Sequence, residues 1–326
     1  MLCCAVLPFL LPDSEERFSQ TRTFPMMGTV GRITLWSDED GLTEKALDQA
    51  QKTIRAIESA CNIFDPESEL SRLNRTACEK EFVCSPLLWE MLTEADRAWK
   101  FSGGAYDPTV QPLMKLWGFR QKRKTLPTAE EVATAMKTVG WAKVKLDPAN
   151  RTVRFLADGI GIDFGGIAKG FALDRALSVL RRAGIRTAVL DLGGNIGCLT
   201  LQERRPFRVG VRDPEQPDGM IEAAELWNGC IATSGNYERY VIIGGKQYTH
   251  IMDPRTGRPV SGVLSVTVIT PRGTDSDAMS TAIFVGGEKL AEQLCRTLPE
   301  TGVLIVRSAP DDPSGRQILR FGSFAR

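Results

Sequence analysis

The helix-like and strand-like segments of this chain are partly segregated, and their order limits the folds it can adopt. Strand patterns dominate from Ala188 to Ile269, whereas apolar residues at helical spacing lie mostly before and after that region. A doubly wound parallel sheet requires regular alternation of strand and helix, which this order does not follow. The sequence therefore predicts an α+β fold. Because the 326 residues contain no internal repeat and no obvious linker, we expect one domain.

Local signals mark where several elements begin. Apolar residues over Leu47–Cys61 recur every three or four positions and predict a helix. Ser85 and Pro86 are typical of the N-cap and first position of a second helix. Thr128 and Glu131 form a capping box for a third. Further helices are predicted over Phe171–Arg182, from about Asp277 and from about Gly287. The predicted strands are Gly31–Trp36, Lys143–Leu146, Thr152–Leu156, Ala188–Leu192, Phe207–Arg212, Glu222–Leu226, Tyr240–Ile243, Gln247–Ile251, Leu264–Ile269, Val303–Val306 and Ile318–Phe321.

The N-terminal residues are predicted to form a leader. Leu2 to Leu11 is apolar, but ten residues cannot span a bilayer and no basic segment precedes them. One interpretation is the remnant of a signal sequence that starts upstream, with Cys3 or Cys4 as a lipidation site; the other is a frayed tail. We therefore divide the chain into a leader that could be disordered, 1–22, and a folded domain, 23–326.

Charge and cysteine content disfavour two classes of protein. Lys plus Arg is 41 against 40 for Asp plus Glu, so bulk charge does not favour nucleic acid. With one histidine and no C-x-x-C pair, a zinc finger is also disfavoured. The basic run 120–124 is interpreted as a solvated loop, with a phosphate or anionic membrane contact as the alternative. Cys78 and Cys84 could pair in an oxidising compartment. The cysteines predicted to be buried thiols are Cys198, Cys230 and Cys295.

Two glycine-rich turns follow predicted strands. Gly161–Gly170 combines the carboxylate of Asp163, two adjacent glycines, and Lys169 in the first turn of a helix. Glycines let a backbone approach a ligand closely, and a helix N-terminus with a lysine favours phosphate. A nucleotide site and a tight strand-to-helix turn fit this segment equally well. The second turn, Asp191–Gly197, is better interpreted as a bulge or bend.

The only histidine, His250, follows a predicted hairpin strand and precedes an Asp-Pro turn. A lone histidine is more often structural than catalytic. Here, however, Asp253 and Arg255 lie within five residues at the mouth of a loop, where a histidine can accept a proton near neutral pH. Because no serine nucleophile elbow accompanies it, a hydrolase triad is not predicted.

Asp277 and Thr281 are four residues apart and share one face if their segment is helical. The pair then offers two hard oxygen ligands, which suit Mg²⁺ held together with phosphate and water. The alternative is that Asp275 or Asp277 caps the helix. Taken alone, these residues favour the cap.

In chain order, seven segments resemble the motifs of the ApbE-type flavin transferases, also called FAD:protein FMN transferases. The segments are Met27–Thr29, Ser68–Asn74, Gly104–Phe119, Asp163–Gly170, Thr233–Tyr240, His250–Pro259 and Asp277–Thr281. They span nearly the whole chain beyond residue 22, and seven motifs in one order are far more specific than any one of them.

The resemblance implies a single α+β, T-fold-like domain with mixed sheets, flanking helices and a central FAD cleft. It implies Mg²⁺ as the cofactor and FAD as the substrate. The enzyme would attach FMN through a phosphoester bond to a threonine (or serine) hydroxyl of a partner redox flavoprotein and release AMP. The implied metal ligands are Asp277, Thr281 and the backbone carbonyl of Gly166. The implied flavin-nucleotide contacts are Met27, Glu69, Leu70, Ser71, Asp107, Asp163, Lys169, Ile251 and Ser280. The implied base is His250.

Two alternative functions stay open from the sequence. An FAD pyrophosphatase would use water in place of the acceptor hydroxyl, and a non-catalytic periplasmic FAD-binding protein would use neither. Many members of the family are lipoproteins outside the inner membrane. A truncated signal would thus imply a lipoprotein on the periplasmic side of a bacterial inner membrane, acting on a subunit of a membrane redox complex; otherwise a cytoplasmic location is expected.

Overall fold

The structure, a computed structural model, describes residues 18–39, 41–200, 206–216 and 218–325. Its strands are β1 Phe18–Met26, β2 Thr29–Ser37, β3 Phe82–Val83, β4 Val144–Asp147, β5 Thr152–Phe155, β6 Thr187–Leu192, β7 Asn195–Leu199, β8 Phe207–Arg212, β9 Met220–Leu226, β10 Gly229–Gly235, β11 Tyr240–Ile243, β12 Lys246–Thr249, β13 Met252–Asp253, β14 Arg258–Pro259, β15 Val263–Thr270, β16 Gly302–Ser308 and β17 Arg316–Gly322. Its helices are α1 Leu42–Cys61, α2 Glu69–Thr76, α3 Pro86–Phe101, α4 Gln111–Leu116, α5 Ala129–Met136, α6 Ala168–Arg182, α7 Gly273–Gly286 and α8 Glu288–Thr297.

The centre of the fold is an eight-stranded sheet in the order β1-β2-β6-β7-β10-β15-β16-β17. Every neighbouring pair in this order is antiparallel, which refines the expectation of mixed sheets and confirms the α+β class. Alternate side chains of each strand point to opposite faces. On β2, for example, Ile33 and Leu35 enter the main core, whereas Trp36 enters a second core on the other face.

The two faces of the sheet are covered by different elements. Helices α1, α6, α7 and α8 contribute buried apolar side chains to the main core. The β8–β9 hairpin covers the opposite face, where the rings of Trp36 and Phe207 lie 5.9 Å apart. A third, smaller core lies beneath the β11–β12 hairpin; its fully buried members are Leu113, Trp117, Val139, Ile243 and Met252.

The contact between α6 and α7 is unusually close. A Cβ added to Gly170 of α6 would meet the carbonyl of Gly273 and lie 2.6 Å from the Cβ of Asp277, both on α7. The carboxylate of Asp174 accepts hydrogen bonds from the backbone N–H groups of Gly273 and Thr274, at 2.6 and 2.9 Å. It thereby satisfies two of the donors that a helix N-terminus leaves unpaired. Residues of α6 therefore fix both the position and the first turn of α7.

This packing corrects the interpretation of Asp277 as a helix cap. Helix α7 begins at Gly273, four residues earlier than predicted, and neither Asp275 nor Asp277 caps it. The capping carboxylate comes from Asp174, about 100 residues away in sequence, so no local pattern could have indicated it. Asp277 is consequently inside the helix, with Thr281 one turn further on.

The structure confirms most predicted elements and adds several. Strand β1 begins at Phe18, so residues 18–22, assigned to the leader, belong to the sheet; the rest of the leader lies outside the described residues. Most of β1 is polar and exposed, which hid it from pattern analysis. The turn at Asp191–Gly197 is a hairpin connection to β7, with Gly193 and Gly194 at φ +64° and +91°, rather than a bulge or bend. The other elements that were not predicted are β3, β7, β10, β13, β14, α2 and α4.

The cysteine predictions are partly corrected. Cys78 and Cys84 are free thiols; Cys78 lies 3.6 Å from a carboxylate oxygen of Asp158, whereas Cys84 is buried. Cys198 and Cys230 are buried as predicted, and Cys295 is only half-buried. Among the described helices, none is both long enough and apolar enough to cross a membrane.

Replacing Gly170 by alanine should destabilise the protein through the α6–α7 contact. Overpacking a close contact costs about 1–3 kcal/mol, which exceeds the gain of up to about 1 kcal/mol in helix propensity. Urea unfolding of Gly170→Ala should therefore show a lower free energy of unfolding. Ser178→Ala, on the half-exposed face of the same helix, is the control and should change it by less than about 0.5 kcal/mol. An unchanged or increased stability of Gly170→Ala would contradict the packing.

Candidate active site

The carboxylate of Asp277 reaches the N-terminus of α6. Its Oδ2 accepts a hydrogen bond from the backbone N–H of Gly170 at 2.9 Å, and its Oδ1 lies 3.8 Å from Nζ of Lys169. Lys169 is thus within ion-pair distance of Oδ1 but too far to form a hydrogen bond with it. A helix N-terminus carries partial positive charge, so this end of α6 combines that charge with a lysine ammonium group. The arrangement favours a bound anion next to a carboxylate oxygen that is free to accept a cation.

Several hydroxyl groups lie together on and beside α7. A Cβ added to Gly166 would lie 3.0 Å from Oγ1 of Thr281, so the loop before α6 touches the third turn of α7. The hydroxyl of Ser280 donates to the carbonyl of Asp277 at 2.9 Å. Oγ of Ser234, on β10, lies 2.9 Å from Oγ of Ser280 and 3.3 Å from Oγ1 of Thr281. The structure thus brings together all three residues predicted to hold a metal.

The segment that precedes α6 is held in place by side chains. Asn74 of α2 donates to the carbonyl of Ile162 at 2.9 Å and accepts from its N–H at 2.8 Å, as a neighbouring strand would. Asp163 accepts from the N–H of Gly165 at 2.9 Å, and its other oxygen lies 3.3 Å from the guanidinium of Arg120. Arg120 belongs to the basic run 120–124, so at least this member of the run is part of the site rather than of a solvated loop.

Asp107 organises the neighbouring turn from inside the protein. One carboxylate oxygen accepts hydrogen bonds from the N–H and the hydroxyl of Thr109, at 2.9 and 2.6 Å. The other accepts from the N–H of Trp141 at 2.9 Å. Because both oxygens are engaged internally, Asp107 shapes the loop that borders the site.

Tyr106 is a residue that the sequence analysis missed. Its side chain is 3% exposed, and its hydroxyl has no hydrogen-bond partner among the described residues. Burial and the nearby carboxylates of Asp277, Asp163 and Asp107 raise the pKa of this phenol well above its ordinary value of 10. The phenol therefore stays neutral, and its unpaired hydroxyl belongs to the residue that precedes Asp107.

His250 lies directly after β12, and its hydrogen bond defines the tautomer of its ring. Its Nδ1 lies 3.0 Å from the backbone carbonyl oxygen of Arg239, and its backbone N–H donates to the same oxygen at 3.1 Å. A carbonyl oxygen only accepts hydrogen bonds, so Nδ1 must carry the proton. Nε2 is then left with a lone pair, which is the form of imidazole that can accept a proton.

The surroundings of His250 keep the ring neutral. Burial lowers the pKa of His250 from 6.5 to about 4, although the hydrogen bond to the carbonyl of Arg239 acts in the opposite direction. The positive charges of Arg239 and Lys169 lower this pKa further.

The Met27–Gly28 turn borders the same region. Met27 has a left-handed backbone, with φ +44°, and its N–H donates to a carboxylate oxygen of Glu58 at 2.5 Å. Gly28 has φ +73°, and a Cβ added there would lie 3.3 Å from the guanidinium of Arg239. The carbonyl of the same Arg239 binds the ring of His250. A single residue, Arg239, therefore connects this turn to the histidine.

Comparison with known proteins is consistent with this constellation. The ApbE family model matches residues 27–305 of the chain. The chain belongs to the ApbE family. A protein of Rhodobacter capsulatus named FAD:protein FMN transferase is 34% identical over 95% of this chain, although the match spans only 58% of that protein's length. One of Treponema pallidum with the same name is 30% identical, over 86% of this chain and 82% of its own.

Solved structures of the ApbE family have the same fold. The ApbE protein of Thermotoga maritima superimposes with a TM-score of 0.85 at 30% sequence identity, covering 94% of this chain and 98% of its own. The flavin transferase ApbE of Vibrio cholerae gives a TM-score of 0.82 at 27% identity, with the same coverages. The family and the fold implied by the seven motifs are therefore confirmed.

Some residues that the ApbE resemblance assigned to the nucleotide also have structural contacts. The carboxylate of Glu69 accepts hydrogen bonds from the N–H and the hydroxyl of Ser85, both at 2.6 Å. Leu70 is fully buried in the main core, so only its backbone could contact a ligand. Ser71 contacts the N-cap residue of α2 through its N–H, and the side chain of Ile251 is buried. The site roles of these four residues remain predictions.

The residues present fit a magnesium ion. No group of three or more His, Cys, Asp or Glu side chains within the described ranges could hold a metal, which disfavours an all-protein cage. Mg²⁺ instead takes one or two carboxylates, other hard oxygens and the phosphates of a substrate. Asp277, Thr281 and the carbonyl of Gly166 would supply these oxygens.

Because His250 is the only histidine, the histidine ring signals in an NMR spectrum need no assignment. NMR can therefore measure the pKa and the tautomer of this ring directly. We expect the ring to titrate near pH 4, well below 6.5, with the Nδ1–H tautomer present at neutral pH. Since the neutral ring accepts the proton, any reaction that needs this base should persist as pH falls through 6.5 and decline only towards 4. A pKa at or above 6.5, or the Nε2–H tautomer, would contradict the geometry.

Proposed function

We propose that this protein is an Mg²⁺-dependent FAD:protein FMN transferase. It would cleave the pyrophosphate of FAD, attach FMN to a threonine or serine hydroxyl of an acceptor protein and release AMP. Family membership and the names of the relatives support the reaction. One observation from the structure carries the proposal: the carboxylate of Asp277 meets Lys169 and the N–H of Gly170 at the N-terminus of α6, and Thr281 of the same helix contacts the loop at Gly166.

The pyrophosphate of FAD would bind at the N-terminus of α6. Lys169 and the partial charge of the helix offset the negative charge that builds on the phosphate oxygens as the bond breaks. Asp277, Thr281 and the carbonyl of Gly166 would hold Mg²⁺ there. When bound, the ion supplies further stabilisation of charge on the pyrophosphate. Asp277 also retains its hydrogen bond to the N–H of Gly170 and so keeps α6 in place.

The acceptor hydroxyl would be activated by His250. Nε2 takes the hydroxyl proton while the oxygen forms a bond to the phosphorus of the FMN half. The bond between that phosphorus and the oxygen of AMP breaks, and AMP leaves with the electron pair. The hydrogen bond from Nδ1 to the carbonyl of Arg239 orients the ring throughout. A neutral histidine is required, and its lowered pKa provides one at physiological pH.

The reaction can be tested with the purified protein, FAD, Mg²⁺ and a synthetic peptide that contains one threonine. Mass spectrometry should detect FMN covalently bound to the peptide, with AMP in solution. Free FMN and AMP without an adduct would indicate an FAD pyrophosphatase. Intact FAD that stays bound would indicate a binding protein and would overturn both enzymatic functions.

Replacing His250 by glutamine should slow transfer far more than it weakens FAD binding. General-base assistance contributes about 100- to 10,000-fold to a rate, whereas the affinity for FAD depends on other residues. The rate of adduct formation and the dissociation constant of FAD are measured on the same preparations. A variant that transfers FMN at the native rate would remove His250 from the mechanism.

Replacing Asp277 by asparagine should abolish Mg²⁺-dependent turnover of FAD. The amide oxygen can still accept the hydrogen bond from Gly170, so the fold is retained while the negative charge is lost. Asp275→Asn is the matched control on the same helix, because Asp275 pairs with Arg97 and Arg272 rather than with site residues. Full Mg²⁺-dependent activity of Asp277→Asn would be incompatible with the proposed metal site.

A further inference from the structure

The β11–β12 hairpin projects an apolar surface next to His250. Its strands pair only with each other in the described part of the chain, so both outer edges are free. Tyr240 and Ile242 are 49% and 63% exposed. They are two residues apart on one strand and therefore lie on the same, outward face. Val241 and Ile243 point the other way, into the small core beneath the hairpin.

This hairpin is directly connected to the proposed base. His250 follows the last residue of β12, and the carbonyl that fixes its ring belongs to Arg239, the residue before β11. The base therefore lies at the open end of the hairpin, and Tyr240 begins the strand beside it. An extended segment that presents a hydroxyl group to His250 could pair along the edge of β11.

We propose that the outward face of the β11–β12 hairpin, formed by Tyr240 and Ile242, is the docking surface for an extended segment of the acceptor protein. This inference rests on the proposed transfer of FMN to a protein. The segment would carry its threonine or serine at His250 and place apolar side chains over Tyr240 and Ile242. Free strand edges and alternating exposed side chains are the features by which proteins bind extended peptides.

The spacing along the hairpin defines which residues of the acceptor would contact Ile242. A strand advances about 3.3 Å per residue, so Ile242 lies about 10 Å along the chain from Arg239, whose carbonyl binds the histidine. Side chains alternate between the two faces, so in an extended acceptor paired along β11 the residue three positions from the hydroxyl residue lies on the face of Ile242. We therefore expect an apolar residue at that distance from the modified threonine or serine.

Charge favours an acceptor segment without excess basic residues. Arg239, which precedes β11, and Lys246, which follows the turn after β11, are both exposed. Lys246 lies over the ring of Tyr248, 5.7 Å from its centroid, and no carboxylate pairs with it among the described residues. A lysine- or arginine-rich segment would be repelled here, whereas an apolar or acidic one would not.

The test compares two exposed β-branched residues. Ile242→Asp alters the proposed surface; Val83→Asp, at a position 70% exposed on β3, is the matched control. The probes are two short peptides with one threonine, one with leucines one and three positions from it, to match Tyr240 and Ile242, and one with alanines there. Each protein is assayed for covalent FMN on the peptide and, separately, for cleavage of FAD without peptide.

We expect the native protein to have a lower KM for the leucine peptide. Ile242→Asp should raise that KM about tenfold, the effect of losing one buried aliphatic contact, and should remove the preference for leucine. Its FAD cleavage without peptide should equal that of the native protein, as should all activities of Val83→Asp. An unchanged KM in Ile242→Asp would overturn the docking surface while leaving the proposed function intact. Absence of any adduct with the native protein would overturn both.

Discussion

The close approach of α6 and α7 at Gly170 is the contact on which the site depends. Only a residue without a Cβ can bring the N-terminus of α6 against the backbone of Gly273 and the Cβ of Asp277. That approach allows Asp277 to bond the N–H of Gly170 and places Lys169 beside it. Asp174 contributes from α6 by supplying the cap of α7. The packing of α6 against α7 therefore determines the geometry of the site.

The two halves of the proposed chemistry come from separate parts of the fold. The phosphate-favouring half belongs to α6 and α7, which pack on the central sheet. The proton-accepting half comes from the β11–β12 hairpin, which has its own small core and holds His250 through a backbone carbonyl. Because the hairpin rests on a separate core, changes on its outer face can affect an acceptor without disturbing the FAD-binding half.

The sequence predicted the parts of this arrangement that depend on local pattern or on motif order. The capping box at Thr128, the helix after Gly170 and the α+β class follow from local signals, and the family follows from seven ordered motifs. Contacts between distant segments could not be predicted. The cap of α7 comes from Asp174, and the loop at Gly166 meets Thr281, which is far away in the sequence. Strand β1 was missed because its exposed, polar face conceals the alternation.

The most direct test of the account is a crystal structure of the protein with FAD and Mn²⁺, which replaces Mg²⁺ and gives an anomalous signal. The predicted result is a metal ion bound by Asp277, Thr281 and the carbonyl of Gly166, in contact with the pyrophosphate at the N-terminus of α6. A metal held by Asp107 or Asp163 instead, or a pyrophosphate bound away from α6, would contradict the central claim.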